Sequence, residues 1–108
     1  MDLEPECVAA LRHWAANNPA VYELWLFGSR AKGTSQVESD VDLAVILMPE
    51  VDNTNWALAM YIESKDFWKT QLGKLAGRPV SLSAIEPGTE LFDEVMATGI
   101  CLWSRLSR

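Results

Sequence analysis

The apolar positions of the chain fall into segments of alternating helical and strand period, separated by short polar or glycine- and proline-rich breaks. Pro5 suits the first turn of a helix, and Val8, Leu11, Trp14 and Ala15 follow at three- and four-residue spacing, predicting an amphipathic helix that ends near Asn17. Asn17, Asn18 and Pro19 stop it, and residues 21–27 are apolar enough for a core strand that closes on Gly28. A second strand is expected over residues 41–48, with Val41, Leu43, Val45 and Leu47 on one face. Its other face begins with Asp42 and turns apolar at Ala44 and Ile46, which implies burial on both sides farther along. Pro49 ends the strand, and after a polar loop the pattern predicts a long helix over residues 54–76. Leu58, Tyr61, Ile62, Trp68, Leu72 and Leu75 form one stripe on it, while Trp56, Met60 and Phe67 fall nearly opposite. One helix cannot bury both faces against one sheet, so either it breaks near residues 64–66 or the second stripe meets a partner. Residues 77–79 form a turn before a third strand over 80–85, and 86–88 form another turn. Thr89 is placed to cap a helix over 90–98, Gly99 to stop it, and 100–103 to make a last short strand.

Composition narrows the function classes. At 108 residues the chain is expected to form one domain spanning 1–108, and with 49% hydrophobic and 22% charged residues it reads as an ordinary globular protein. The formal net charge is −6 and the basic residues are scattered, which argues against tracking a polynucleotide backbone and so against polymerisation of nucleic acid. The N-terminal residues are acidic without an apolar signal core, and the longest apolar run, residues 43–48, is far too short to cross a bilayer, so the expectation is no membrane and a cytoplasmic location. Cys7 and Cys101 lie at opposite ends in apolar surroundings with no paired spacing, and are expected to be buried free thiols. His13, the only histidine, is expected on the helix surface rather than as a general base.

The chemistry concentrates in residues 24–47, which run apolar strand, Gly28-Ser29, polar basic loop, Asp40-Val41-Asp42, apolar strand. Residues two apart on a strand share a face, so both carboxylates point the same way and repel each other. A hard divalent cation that prefers oxygen is the simplest means of keeping both ionised. Gly28 permits a tight turn and, with Ser29, leaves backbone N–H groups and a small hydroxyl facing out, as an anion cradle requires. Arg30 and Lys32 would add positive charge near a triphosphate, or simply sit in a solvated loop.

Gly28, Ser29, ten residues, then Asp40-x-Asp42, together with the wording Gly28-Ser29-Arg30-Ala31-Lys32-Gly33 and Ser39-Asp40-Val41-Asp42-Leu43, resembles the DNA polymerase beta nucleotidyltransferase superfamily, and most closely its minimal nucleotidyltransferases. The order of elements resembles that family along almost the full length. The resemblance implies an α/β (α+β) nucleotidyltransferase fold, a small mixed sheet flanked by helices. It implies Asp40 and Asp42 as catalytic Mg2+ ligands, Gly28 and Ser29 as nucleotide contacts, Arg30 and Lys32 as further nucleotide-binding candidates, and ATP as the nucleotide.

The chain departs from the family at the third carboxylate, expected on the third strand where the family reads Val-Asp-Leu. Here Ser81 stands at that position, between Val80 and Leu82. Serine carries no charge, and Glu86 lies five residues on, about 15 Å along an extended strand; Glu38 or a partner's acid would have to substitute. Two function classes therefore remain. One is a Mg2+- and ATP-dependent nucleotidyltransferase acting on a hydroxyl of a partner protein, such as the antitoxin of a pair with a helical HEPN-type toxin. The other is a catalytically degenerate module that binds nucleotide or a partner, the partner being a HEPN-type protein or a second copy of the chain.

Overall fold

The computed structural model describes residues 1–106; residues 107 and 108 of the expected 1–108 domain lie outside the described residues. In chain order the elements are α1 (Pro5–Ala16), β1 (Val21–Phe27), α2 (Gly28–Lys32), β2 (Val41–Leu47), α3 (Trp56–Ala76), β3 (Val80–Ala84), α4 (Glu90–Thr98) and β4 (Ile100–Ser104). They build an α/β fold around one mixed sheet of order β3-β2-β1-β4. The central strand β1 is antiparallel to both β2 and β4, whereas β2 and β3 are parallel, with α3 as the crossover that a parallel pair requires.

Helices cover both faces of the sheet. On one, Leu11 and Ala15 of α1 and Trp68, Leu72 and Ala76 of α3 close over Val21, Leu24, Leu26, Val41, Leu43 and Val45. On the other, Val95 of α4 packs with Ala44 and Ile85, with Trp25, Phe27, Ile46, Leu91 and Phe92 around them. The double burial expected from Ala44 and Ile46 is therefore present, and it explains why β2 is apolar on both faces beyond Asp42. Leu24, Leu26, Leu43 and Leu72 are fully buried, each contributing about 1.5–3 kcal/mol of apolar transfer. The α1–α3 seam is set by the edge-to-face pair Trp14 and Trp68, ring centroids 5.7 Å apart, and by the Trp14 indole N–H donating to Gln71 Oε1 at 3.1 Å.

Two sequence-based expectations change, and one of the two alternatives for the long helix falls away. The long helix does not break: α3 runs unbroken through residues 64–66. Its inner face is Ala57, Trp68, Leu72 and Ala76, with Tyr61 beside them, whereas Leu58, Ile62 and Leu75 of the expected stripe are exposed. The two alanines let the helix lie close to the sheet, and a reading weighted by side-chain size rotates the predicted face toward larger residues. Of the opposite stripe, Trp56 folds back against the main core, while Met60 and Phe67 remain exposed, Phe67 by 64%. The cysteines are free but not buried: Cys7 is half-buried, with its thiol 3.6 Å from the Ala76 carbonyl, and Cys101 is exposed. Cys101 lies on edge strand β4 outside both apolar clusters, a position that only the strand order reveals. His13 is exposed on α1, beside Asn17, as expected.

The helix ends follow local chemistry. Thr89 Oγ1 caps α4 by accepting from the Phe92 N–H at 3.2 Å. Gly99 ends α4 with extended backbone; it is glycine for lack of room, since a β-carbon there would run into the carbonyl of Val95 and come within 3.1 Å of that of Leu26. Among the described residues no helix is long and apolar enough to cross a membrane.

Candidate nucleotide and metal site

The site forms where β1 ends, α2 begins and β2 enters. At the strand-to-helix turn Gly28 adopts φ +72°, a region that disfavours side chains, and a β-carbon there would collide with Asp42 Oδ2. The carboxylate of Asp42 thus lies directly against the Gly28 backbone. Pairing supplies its other neighbours, because Asp42 is opposite Phe27 on β1 and opposite Ser81 on β3. Laterally paired residues of adjacent strands present side chains to the same face, so Ser81 stands beside Asp42.

Asp40 is exposed one residue before β2, on the Asp42 side of the strand by the two-residue period. The Asp42 carboxyl has its pKa raised, first by burial and then by the negative charges of Asp40 and Glu94. Glu94 was not anticipated as a neighbour. It reaches this face only because α4 packs beneath β1 and β2, and no local signal in the sequence carries that information. Among the described residues the one ion pair joins Arg78 to Glu4, so no lysine or arginine neutralises the acidic pair. No group of three or more histidine, cysteine or acidic side chains is arranged among them to hold a metal ion.

The residues after Gly28 form a helical turn, α2, rather than open loop. Its end is the left-handed Gly33, and the Ser29 carbonyl accepts the Thr34 N–H at 2.9 Å. The Ser29 hydroxyl makes no hydrogen bond among the described residues, and exposed Lys32 has no hydrogen-bond or ion-pair partner there. Arg30 is different. It is only 4% exposed, neither solvated nor free for a phosphate, and its guanidinium donates to the carbonyls of Asp2, Gln36, Val37 and Ser39. Sequence grouped Arg30 with Lys32 by charge, whereas the fold separates them by burial.

The other acids considered as substitutes lie apart. Glu38 is exposed within the loop between α2 and β2. Glu86 lines a cleft of about 660 Å³ with Tyr22, Glu50 and Trp56, where β2 and β3 end and α3 starts. A second groove of about 800 Å³ runs between α1 and α3, lined by Trp14, Phe67, Gln71 and Leu75 among others. Neither cleft includes Asp40 or Asp42.

The model of the polymerase beta nucleotidyltransferase family matches residues 10–108. The chain belongs to this family. No curated protein matches the sequence. Among solved structures, this nucleotidyltransferase domain is similar to a toxin–antitoxin crystallised with AMP-PNP, at 24% identity and TM-score 0.63 over 92% of this chain and 71% of that one. A complex of the tri-AMPylated Shewanella oneidensis HEPN toxin with its MNT antitoxin gives 19% identity and TM-score 0.62, covering 93% and 71%. A variant of the MntA-HpeT toxin–antitoxin gives 26% identity and TM-score 0.57, covering 90% and 68%. At such identities the likeness is one of fold.

Proposed function

We propose that Asp40 and Asp42 hold a divalent cation, Mg2+, against which ATP is seated, and that the protein acts on a helical partner protein as the antitoxin half of a HEPN-type pair. The observation that carries this reading is the acidic pair itself, Asp42 against the Gly28 turn and Asp40 close enough to raise its pKa, with no lysine or arginine paired to either among the described residues. The donor set suits a hard ion, since two carboxylates and the Ser81 hydroxyl are all oxygen ligands. Burial and like charge also give Asp42 an electrostatic penalty that a divalent ion would remove. Such an ion would neutralise triphosphate charge and lower the pKa of an attacking hydroxyl. Around it, the first N–H groups of α2 and the free Ser29 hydroxyl are the anion donors, and Lys32 is the exposed cation. Arg30 does not share that role and holds the loop instead. The transfer would deliver a nucleoside monophosphate to a hydroxyl of the partner, and a cytoplasmic location goes with it. The exposed Phe67 and Leu75 beside the α1–α3 groove are apolar surface that a partner would cover.

A second reading has a specific observation in its favour. Ser81 pairs with Asp42 at the register where the resemblance calls for an acid, so a metal activating the acceptor would lack a ligand, while one seating the nucleotide would keep Asp40 and Asp42. On this reading the domain binds Mg-ATP and its partner but transfers slowly or not at all. Titration calorimetry with ATP, with and without Mg2+, tests the shared part, and Mg2+-independent or absent ATP binding would reject it. Transfer of label from radioactive ATP, with the helical partner present and absent, separates the two readings.

A further inference from the structure

The segment before α1 is tied to α2 and the site loop through Asp2. The Asp2 N–H donates to the Arg30 carbonyl at 2.7 Å, and Arg30 Nη1 donates back to the Asp2 carbonyl at 2.9 Å. Across the loop, Asp2 Oδ2 accepts from the Ser35 N–H at 3.1 Å and from the Ser35 hydroxyl at 2.7 Å. These bonds hold the Asp2 carboxyl below its ordinary pKa. Leu3, 8% exposed, anchors the segment in the main core.

Arg30 completes the connection. Its Nε and Nη2 both donate to the Ser39 carbonyl, at 3.2 and 2.9 Å, and Nη2 also reaches Val37 and Gln36. Ser39 is in turn closed onto Gln36, accepting its N–H at 2.9 Å and donating its own N–H to the Gln36 carbonyl at 3.1 Å. The residue after Ser39 is Asp40. Without these bonds the stretch 33–40 would be a polar excursion whose Gly33, Thr34, Gln36, Val37 and Glu38 are all exposed, with little core contact to order it.

We propose that Asp2 and Arg30 are positioning residues for the aspartate pair. The segment 1–4 acts as a strap across the loop, and the chain of bonds Asp2–Arg30–Ser39 fixes where Asp40 enters the site. The inference rests on the reading of Asp40 and Asp42 as a cation site. Its physical basis is preorganisation: a ligand held in place before the ion arrives leaves less ordering for binding to overcome.

The test uses two variants of the full chain, neither touching the aspartates: Asp2→Ala, which removes the carboxylate bonds to Ser35 and keeps the main-chain bonds to Arg30, and Arg30→Met, which removes the bonds to Ser39. Mn2+ is the probe, titrated by water-proton relaxation, with amide hydrogen exchange read on the same samples. The expected result is Mn2+ affinity weakened about tenfold, as when supporting hydrogen bonds behind metal ligands are removed. Exchange at residues 35–40 should quicken about tenfold for the loss of one to two hydrogen bonds, with β1 and β2 amides unchanged. Asp2→Asn, which keeps an acceptor for Ser35, should restore most of both, a rescue that a merely global loss of stability would not give. Equal Mn2+ affinity in the wild type and in either variant overturns the positioning role of the residue changed and leaves the cation site standing. A wild type that takes no Mn2+ overturns the cation site instead. In that case unchanged exchange at residues 35–40 in Asp2→Ala also rejects the strap, and faster exchange there upholds the strap as the fastening of the loop.

Discussion

The carboxylate of Asp42 fills the space that a β-carbon on residue 28 would take. The glycine of the turn and the aspartate of the next strand are therefore one unit, and each is intelligible only beside the other. Gly28→Ala should cost about 1–2 kcal/mol for the left-handed conformation alone, with a further loss as Asp42 is pushed from its place. Urea denaturation and Mg2+-dependent ATP titration of the variant check this. Wild-type stability and binding together would mean the turn has room that the structure does not provide.

The electrostatics of Asp42 predict an unusual pH response. Its folded pKa is raised, so between the unfolded and folded values the native state holds the proton more tightly, and stability falls as pH rises through that window. Asp42→Asn removes the ionisation, and the variant should be at least as stable as the wild type at pH 7 without metal. Mg2+ should raise the melting temperature of the wild type and leave that of Asp42→Asn unchanged. Thermal melts over pH 3–8, with and without Mg2+, give both results; a variant that melts lower than the wild type in the absence of metal contradicts the argument.

Placing an acid beside Asp42 should separate binding from chemistry. Ser81→Asp puts a third carboxylate next to Asp42 through the β2–β3 register. ATP affinity is expected to change little, while transfer of label to the partner or to the protein itself should rise, by as much as about 10²–10⁴ if the missing group acts as general base. In the empty protein the added charge should lower stability by repulsion. Vigorous transfer by the wild type, lost on Glu38→Gln, would show that another carboxylate serves.

The strap has an acid-sensitive residue of its own. Two hydrogen bonds from Arg78 draw the Glu4 carboxyl down from 4.5 to about 2. A depressed carboxylate stabilises the fold above its unfolded pKa, and that contribution disappears as pH falls toward the folded value. Both side chains are solvent-accessible, so the effect should be small and weakened by salt. In Glu4→Gln the stability profile between pH 4.5 and 2 should flatten relative to the wild type in low salt, and the two should converge in 1 M NaCl.

Much of this molecule could be read from the chain because it is local. Apolar periodicity places α1, the strands and α4, since a side chain's face follows from the backbone repeat. The spacing of Gly28, Ser29, Asp40 and Asp42 marks the candidate site for the same reason, as two residues apart on a strand is a geometric statement. What the chain could not disclose depends on how faces meet. Alanine carries little hydrophobic signal, so the inner line of α3 at Ala57 and Ala76 emerged only once the helix lay on the sheet. Sequence counts Arg30 and Lys32 as equal charges; burial beneath the loop, bonded to four carbonyls, makes one a fastening and leaves the other free. Glu94 lies more than fifty residues from Asp42 in the chain, and Asp2 more than thirty from Ser35. No pattern along one dimension brings those pairs together, because their proximity follows from the packing of α4 against the sheet and of the first four residues against the site loop.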